Sequence, residues 1–460
     1  MNQADLLNAI ENIVGRAGIL RGDALAGRSS GVWSKHPLRA LALVRPESTD
    51  EIAQLLQVCV QAGQPVVPAG GMTGLAGGHE STAGEILLST ERMNRIERVD
   101  AAARTMTVEA GAILERVQDA ASSEGLMFAL DLGARASCTI GGNIATNAGG
   151  VRVLRYGMMR EQVLGLEAVL ADGTVVSSMF DMLKNNTGYD LRQMFIGSEG
   201  TLGVVTRAVL RLHEAPQQID TLMLSVPSWR QVMGLLRYFD AALPGALGAF
   251  EVLWGDYYAL NTGEYSDIDP PLAPGSPYYV LMDVMMTNDA DGRERLQVLL
   301  EDRLEAGDIS DGVMAYSEAE RAVFWRIREN FEPEQRRYDL IYGHDISLPL
   351  ESMAEYVDEI RANIIARFPD AAVHAYGHIG DGNLHTSIYP GANPDRAAID
   401  EIVYSPLRGL RGSVSAEHGI GVEKKAYLHY TRSTAEIDLM RRIKQMLDPT
   451  NILNPGKLFD

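Results

Sequence analysis

The sequence has few cysteines and lacks any apolar run of the length that crosses a bilayer. Of its 460 residues only Cys59 and Cys138 are cysteines, and neither belongs to a C-x-x-C pair. This argues against a disulfide framework and against a cysteine-ligated zinc site. A transmembrane helix needs about 20 consecutive apolar residues, and the N-terminal segment has neither the basic nor the apolar region of a signal peptide. We therefore expect a cytoplasmic protein without a transmembrane segment.

Positive charge is also scarce. The chain carries 41 Lys and Arg against 61 Asp and Glu, a formal net charge of −20. This balance disfavours binding to phosphate backbones and to anionic lipid, so we expect no nucleic-acid partner. Glycine, in contrast, is abundant: the chain has 45 glycines, which indicate many tight backbone turns.

Length and segment pattern predict an α+β protein with more than one domain. A chain of 460 residues exceeds the size at which a single hydrophobic core keeps growing. Helical stretches alternate with short β-rich runs up to Ala215-Pro216, where the proline favours an extended residue before it and ends the first domain. From there to about residue 400, the pattern predicts a second sheet covered by helices. We divide the chain into domains 1–216 and 217–400 and a C-terminal segment 401–460.

Three glycine-rich loops lie in the first domain, at 66–78, 140–150 and 197–203. Each supplies backbone N–H groups with little side-chain bulk, which is what wrapping a pyrophosphate requires. The first loop is neither a Walker A sequence nor a G-x-G-x-x-G fingerprint closed by a helix. Three such loops in one domain favour an extended cofactor that lies along the domain.

The segment "GHIGDGNLH" at residues 377–385 carries two histidines around an Asp-Gly pair. A two-residue hairpin centred on Asp381-Gly382 would place His378 opposite His385. Their Cβ atoms would then lie roughly 5 Å apart, close enough for both imidazoles to bind one ion. A polar turn with surface histidines is the alternative interpretation of this segment.

A set of segments running in order along nearly the whole chain carries a family resemblance. They are PAGGMTGL, IGGNIATNAGG, RYG, KNNTGYDLRQMFIGSEGTLG, GHIGDGNLH, SAEHGIG and NPGK, between residues 68 and 457. Together they resemble the flavoproteins of the vanillyl-alcohol oxidase/p-cresol methylhydroxylase (PCMH) type, and within them the D-lactate and D-2-hydroxyglutarate dehydrogenases. The resemblance implies a PCMH-type FAD-binding domain at 1–216, a substrate-binding antiparallel-sheet domain at 217–400, and a C-terminal segment, 401–460, that returns to the flavin.

The cofactor implied by the resemblance is FAD, and we expect it to be non-covalent. Met72 stands where relatives that tether FAD often carry a histidine, while His79 lies beyond the loop and is expected in solvent or in a local hydrogen bond. The residues implied to bind FAD come from the glycine-rich loops and from the terminal NPGK segment: Pro68, Gly70, Gly71, Met72, Thr73, Gly74, Leu75, Gly141, Gly142, Asn143, Thr146, Gly150, Gly203, Val204 and Asn454.

The resemblance also implies a divalent metal site, with zinc as the expected ion. Its ligands would be His378, His385 and Glu417. Two imidazoles and one carboxylate leave positions open for a substrate hydroxyl and carboxylate. Asp381 is expected to form the turn rather than to bind the ion.

Three further residues are implied to act on the substrate. His418 would be the general base, which removes the hydroxyl proton as hydride passes from the α-carbon to flavin N5. Arg328 would bind the substrate carboxylate, because a planar bidentate fork suits that group. Asn383 would form a hydrogen bond to the substrate.

The sequence departs from the family pattern near the motif DISLP. Where 2-hydroxyglutarate enzymes tend to carry a lysine just before this motif, the chain reads Gly343-His344, and their nearby threonine position is occupied by Glu332. His344, Arg336 or Arg337 could substitute for this lysine, although a solvated charged helix face is the favoured interpretation of the two arginines. The particular acid therefore stays open.

The implied activity is oxidation of a D-2-hydroxy acid, such as D-2-hydroxyglutarate or D-lactate, to the 2-oxo acid. Electrons would leave to an external acceptor, which is an electron-transfer flavoprotein, a quinone or a cytochrome, and a homodimer is compatible with the sequence. Two rival hypotheses remain: a non-redox flavoenzyme of the same fold, and a flavin-free metal-dependent hydrolase or metal-binding module.

Overall fold

The chain forms two compact units in a computed structural model that describes residues 1–31, 37–286, 291–392 and 394–459. The first unit comprises Met1–Gly150, Tyr156–Ala215 and Glu417–Asp460, and the second comprises Val151–Arg155 and Pro216–Ala416. The predicted segment 401–460 is thus divided, because its first part, up to Ala416, packs within the second unit.

Short strands alternate with helices along the chain. The strands are β1 (Ile19–Leu20), β2 (Ala42–Val44), β3 (Val66–Ala69), β4 (Ile86–Ser89), β5 (Ile96–Asp100), β6 (Thr105–Glu109), β7 (Leu126–Met127), β8 (Val163–Val169), β9 (Val175–Ser178), β10 (Val204–Arg211), β11 (His213–Glu214), β12 (Gln218–Val226), β13 (Leu247–Trp254), β14 (Tyr278–Met286), β15 (Asp311–Met314), β16 (Tyr342–Ser347), β17 (Ala372–Gly377) and β18 (Asn383–Tyr389).

The helices are α1 (Gln3–Val14), α2 (Asp23–Ala26), α3 (Thr49–Ala62), α4 (Leu114–Ser123), α5 (Ile140–Thr146), α6 (Val153–Tyr156), α7 (Met159–Gln162), α8 (Arg192–Phe195), α9 (Trp229–Ala242), α10 (Gly255–Asn261), α11 (Gly292–Glu305), α12 (Glu318–Glu329), α13 (Glu332–Arg337), α14 (Met353–Arg367), α15 (Arg396–Tyr404), α16 (Leu407–Leu410), α17 (Leu428–Thr431) and α18 (Thr434–Leu447). None of the described helices is both long enough and apolar enough to cross a membrane.

The first unit contains one sheet of order β1-β2-β4-β3 and another of order β5-β6-β10-β8-β9. Helix α3 packs beside the first sheet and buries an apolar stripe with the spacing of an amphipathic helix: Ile52, Leu55, Leu56 and Cys59. Burial raises the pKa of Cys59 to about 12 and that of Cys138 to about 11. Both thiols are therefore protonated and unreactive near neutral pH, as structural cysteines are.

The C-terminal tail packs within the first unit. Leu453 forms a parallel bridge with Val66 of β3, and the backbone N–H of Asn454 donates to the Val66 carbonyl over 2.8 Å. The Lys444 ammonium of α18 donates to the carbonyls of Thr201 and Leu453 over 2.9 and 2.7 Å. These bonds hold the tail beside the strand that precedes the first glycine-rich loop.

The second unit contains an antiparallel sheet of order β15-β12-β14-β13-β17-β18-β16, which confirms the predicted second sheet. Residues directly opposed on antiparallel strands lie on one face, and Tyr376 opposes both Leu253 of β13 and His385 of β18. His385 in turn opposes Asp345 of β16. Because side chains alternate along a strand, Glu251 lies on the same face as Leu253. We call this face of the sheet the polar face.

Candidate functional site

A cleft of about 940 Å³, its open side included, lies in the first unit and is lined by all three glycine-rich loops. Most residues implied to bind FAD line it: Pro68, Gly70, Gly71, Met72, Thr73, Gly74, Gly141, Gly142, Asn143, Thr146, Gly203 and Val204. His418, the implied base, lines the same cleft.

Glycine is required in these loops because backbone segments pack directly against one another. A Cβ on Gly71 would lie 2.0 Å from the Ser137 carbonyl oxygen, and one on Gly70 would lie 2.3 Å from Thr139 Oγ1. Any side chain at either position would displace the loop that precedes α5. Bare backbone therefore lines this part of the cleft, and such a surface lets a pyrophosphate approach N–H groups closely.

The remaining residues implied to bind FAD lie outside the cleft lining. Leu75 is 44% exposed, and the N–H of Gly150 donates to Glu417 Oε2 over 2.8 Å. Asn454 donates through Nδ2 to the carbonyls of Gly78 and Glu199 over 2.9 and 2.7 Å. Asn454 thus ties the C-terminal tail to two glycine-rich loops, and its contribution to the cleft is to fix their backbones.

Glu199 is a cleft residue that the sequence reasoning missed. Its two carboxylate oxygens accept from the backbone N–H groups of Ile420 and Gly421 over 2.7 and 2.8 Å. The side chain is buried, and this burial raises the pKa of Glu199. Because Ile420 lies two residues after His418, Glu199 fixes the loop that carries the implied base. The signal in the sequence was a lone acidic residue inside the third glycine-rich loop.

His79 is not in solvent, so that expectation was wrong. It lines the cleft, and its Nε2 lies 3.1 Å from the carbonyl oxygen of Ser30, which is far away in the sequence. Burial lowers the pKa of His79. The chain turns back between Gly74 and His79, since a Cβ on Gly74 would lie 3.7 Å from His79 Nδ1, and this turn places His79 in the cleft lining.

Met72 lines the cleft at the position where a tethering histidine would stand. A thioether forms no covalent flavin link of the histidyl kind, so acid or heat denaturation is expected to release all FAD into the supernatant. The measurement is the flavin absorbance of the supernatant and of the washed pellet. Yellow colour that stays with the precipitated protein would contradict the prediction.

The two histidines of "GHIGDGNLH" lie together, but not through the predicted hairpin. His385 opposes Tyr376 rather than His378, because residues 378–382 form a longer connection that includes a 3-10 helix, Ile379–Asp381. The two imidazole rings nevertheless lie with their centroids 5.3 Å apart and nearly perpendicular. The Asp381 side chain accepts from the Asn383 N–H over 3.2 Å, which is the turn-forming role expected of it.

Arg328 lies on helix α12, which packs against the polar face. Its Nε donates to Glu251 Oε2 over 2.8 Å, and its guanidinium carbon lies 4.7 Å from the centroid of the Tyr376 ring. The side chain is 6% exposed, and within the described part of the chain Nη1 and Nη2 donate no hydrogen bond to a protein atom. The geometry leaves the bidentate edge of the guanidinium for a carboxylate.

Asn383 has little capacity left for a substrate. Its Nδ2 donates to Asp345 Oδ1 over 2.8 Å and to the Ile346 carbonyl over 3.0 Å. Its Oδ1 is buried and has no hydrogen-bond partner among the described residues. Any bond to a substrate would therefore have to be accepted at Oδ1. Asp345, a further residue missed from the sequence, is fully buried and lies 3.9 Å from His385 Nδ1.

His344 does not supply the missing cation, and this expectation was wrong. His344 and Asp345 are consecutive on β16 and point to opposite faces. The His344 Nε2 bonds to Asp400 Oδ1 at 2.8 Å in a fully buried position. Gly343 lies on the polar face instead, and a Cβ there would have no atom within 4 Å.

The two candidate arginines of α13 are engaged elsewhere. Arg336 pairs with Glu332 at 2.8 Å in an exposed position, which is the solvated helix face considered as the alternative. The Arg337 guanidinium lies over the rings of Tyr265 and Tyr338, 5.5 and 5.2 Å from their centroids. Neither arginine therefore presents an unengaged cation to the polar face.

Two known families of flavin-binding domains resemble parts of this chain. The chain matches a family described as "FAD linked oxidases, C-terminal domain" over residues 215–458 and one described as "FAD binding domain" over residues 40–178. The first match spans more than half of the 460 residues. The chain belongs to the FAD-linked oxidase family. FAD as cofactor and a flavin-dependent oxidoreductase activity are thereby confirmed, and the flavin-free hydrolase hypothesis is excluded.

Relatives and solved structures place the chain more closely within this family. A D-2-hydroxyglutarate dehydrogenase from Xanthomonas citri pv. viticola is 41% identical over 93% of this chain and 90% of the relative. The mitochondrial D-2-hydroxyglutarate dehydrogenase of Bos taurus is 40% identical over 91% of this chain and 76% of its own. Both relatives are matched over most of their length.

The solved structures show the fold alone. The 4-ethylphenol oxidase from Gulosibacter chungangensis superposes with a TM-score of 0.75 at 18% identity, over 99% of this chain and 97% of that chain. A p-cresol methylhydroxylase superposes with a TM-score of 0.75 at 15% identity, over 100% and 98%. The PCMH-type fold inferred from the sequence motifs is confirmed.

Proposed function

We propose that this chain oxidises a D-2-hydroxy acid to the 2-oxo acid, with non-covalent FAD in the first-unit cleft and a divalent ion, zinc, held by His378, His385 and Glu417. The observation that carries the proposal is the pair of adjacent imidazoles of His378, which is buried, and His385, which is partly exposed, with His378 and Arg328 bound to a common carboxylate. The names of the relatives at 41% and 40% identity support the same substrate class.

The donor set fits a divalent ion. The Nδ1 of His378 is engaged with Glu251 Oε1 at 2.8 Å, so we assign Nε2 as the ion-binding atom. Glu417 directly follows Ala416, whose N–H donates over 3.1 Å to Asp345, the residue that opposes His385 on the sheet. Covalent continuity therefore limits how far Glu417 can lie from the two histidines.

Three residues of the chain would each have a separate role in oxidation of the acid: Arg328, His418 and Glu199. When bound, FAD would take up the two electrons that C2 of the acid loses, and the ion would lower the pKa of the substrate hydroxyl. Arg328 would bind the substrate carboxylate through Nη1 and Nη2. The His418 imidazole would accept the proton from the hydroxyl oxygen. Glu199 would hold the loop of His418 through its bonds to the neighbouring N–H groups.

The polar face favours an acid without a second carboxylate near Gly343. That position has open space and no side chain, and the Ser387 opposite it on β18 is neutral. Glu334, buried on α13, interacts with Ser387 and has its pKa raised by burial, so it supplies no cation for a second carboxylate. We therefore propose that a monocarboxylic 2-hydroxy acid such as D-lactate is preferred to D-2-hydroxyglutarate.

Replacing Gly343 with lysine is expected to shift this preference. The new ammonium would project from the polar face into open space, so kcat/KM for D-2-hydroxyglutarate relative to D-lactate is expected to rise by about tenfold, the factor that about 1.4 kcal/mol supplies. The measurement is steady-state dye reduction with both acids. Replacing His344 with lysine is the matched control, because residue 344 lies on the opposite face; an equal shift in both variants would contradict the placement.

A dye-reduction screen tests the proposed function. Purified enzyme is assayed with D- and L-2-hydroxy acids after metal removal and after reconstitution with zinc. The proposal requires activity with D-acids that falls on metal removal and returns with zinc. Electron-transfer flavoprotein, quinone or cytochrome as the natural acceptor, a homodimeric state and a cytoplasmic location all stay predictions, and acceptor exchange in the same assay separates the acceptors.

A further inference from the structure

Glu251 is a residue of the polar face that binds both Arg328 and His378. It lies on β13 and its side chain is 1% exposed. One carboxylate oxygen, Oε2, accepts from Arg328 Nε over 2.8 Å, and the other, Oε1, accepts from His378 Nδ1 over 2.8 Å. Each oxygen is thus committed to one of the two groups that the proposed function assigns to substrate binding and to metal binding.

We propose that Glu251 is a positioning residue. Its single carboxylate orients both Arg328, which would bind the substrate, and His378, which would bind the metal. The inference rests on the proposed function and deepens it. A bond at Arg328 Nε orients the guanidinium plane and directs the Nη1–Nη2 edge away from Glu251. A bond from His378 Nδ1–H fixes the imidazole tautomer and directs the Nε2 lone pair outward. Any displacement of this carboxylate therefore moves both groups together.

The packing of α12 alone does not explain Glu251. Asp283 of β14 lies on the same face of the sheet, one strand away, where it opposes Ala249. It is similarly buried, and it binds α12 through Arg321 at 3.1 Å and Trp325 Nε1 at 3.3 Å. The other partner of Asp283 is the Thr221 hydroxyl on the neighbouring strand β12, so Asp283 joins the helix to the sheet and contacts neither histidine of the proposed metal site. Glu251 differs because its second oxygen reaches His378, in the connection between β17 and β18.

The test compares Glu251→Gln with Asp283→Asn. Each variant replaces a buried carboxylate by an amide of the same shape and removes the buried charged partner of an α12 arginine, so both are expected to lower the melting temperature by similar amounts. Only Glu251→Gln is expected to weaken zinc binding by about 10- to 100-fold, the usual effect of removing the hydrogen-bond partner of a ligating histidine. Zinc affinity is measured by competition with a chromophoric chelator, and FAD content is measured in parallel.

Kinetics supply a second readout. Glu251→Gln, assayed at saturating zinc, is expected to raise KM for the acid by at least tenfold because Arg328 loses its orientation, whereas Asp283→Asn is expected to keep a KM within a fewfold of wild type. Glu251→Asp keeps the charge but is too short to reach both partners, so it is expected to show the same zinc and KM losses. It tests the inference if the glutamine variant does not fold.

The outcomes separate the inference from the proposed function. Wild-type enzyme that binds no zinc would overturn the proposed metal site and the inference with it. Wild-type enzyme that binds zinc, with Glu251→Gln and Glu251→Asp equal to it in zinc affinity and KM, would overturn the inference alone. Equal losses in Asp283→Asn would also overturn it, because the effect would then come from the docking of α12.

Discussion

The His385→Ala variant is expected to lose most of its bound divalent ion and to turn over the acid on the order of 100-fold more slowly, while its FAD content stays at the wild-type level. His385 is one of the two imidazoles that lie 5.3 Å apart between ring centroids, and a site of two imidazoles and one carboxylate has no spare ligand. The residues that line the flavin cleft all belong to the first unit, whereas His385 belongs to the second.

His374→Ala is the matched control for this prediction. His374 lies on β17, where it opposes Ser387, so it shares the polar face with His385. It is more buried than His385, and its Nε2 lies 3.0 Å from the Tyr338 hydroxyl. The control is expected to keep the ion, as measured by metal analysis of the dialysed protein. Full metal content and full turnover in His385→Ala would show that the ion is incidental to the reaction.

The parts of the site that the sequence predicted are those encoded by consecutive residues. Each glycine-rich loop carries its own requirement for bare backbone, as Gly71 shows with a Cβ position 2.0 Å from Ser137. The loops could therefore be recognised one at a time, and their number indicated an extended cofactor. The strand pattern after Pro216 was equally local, which is why the second sheet was predicted.

The wrong predictions concern side chains whose direction changes when the strand pairing shifts by a single residue. The pair His378 and His385 was predicted to face each other across a two-residue turn, but the 3-10 helix lengthens the connection and pairs His385 with Tyr376. His344 was considered as a substrate cation because it stands beside Gly343. Alternation along β16 places it on the opposite face with Asp400, and periodicity alone does not reveal which face is functional.

The residues that were missed act through partners far away in the sequence. Glu251 binds Arg328 and His378 across separations of 77 and 127 residues. Glu199 binds the Ile420 N–H across a separation of 221 residues. Burying a carboxylate is unfavourable unless the carboxylate is paired, and the partners of these two residues are not visible in the neighbouring sequence. No local pattern could therefore have assigned their roles.

The second rival, a non-redox flavoenzyme of the same fold, does not fit the relatives at 41% and 40% identity, which are named dehydrogenases. A reaction without net oxidation would leave the adjacent imidazoles of His378 and His385 without a chemical role. Reduction of the flavin by a D-2-hydroxy acid under anaerobic conditions, followed in the visible spectrum, distinguishes the two activities directly.

The His418→Asn variant is expected to show flavin reduction by the acid that is slower by about 10² to 10⁴, the usual scale of general-base catalysis. His418 lines the flavin cleft, and asparagine roughly preserves its size and some hydrogen bonding while it removes the base. The measurement is anaerobic stopped-flow reduction of the flavin with the acid as reductant.

His429→Asn is the control for this variant, since His429 is an exposed histidine of the same unit whose Nδ1 lies 2.9 Å from the Ala426 carbonyl oxygen. The control is expected to reduce its flavin at the wild-type rate. Reoxidation of chemically reduced flavin by the acceptor is expected to be unchanged in His418→Asn, because that half-reaction needs no deprotonation of substrate. A reduction rate within a fewfold of wild type would remove His418 from the mechanism, and the proton would then have to leave to another acceptor.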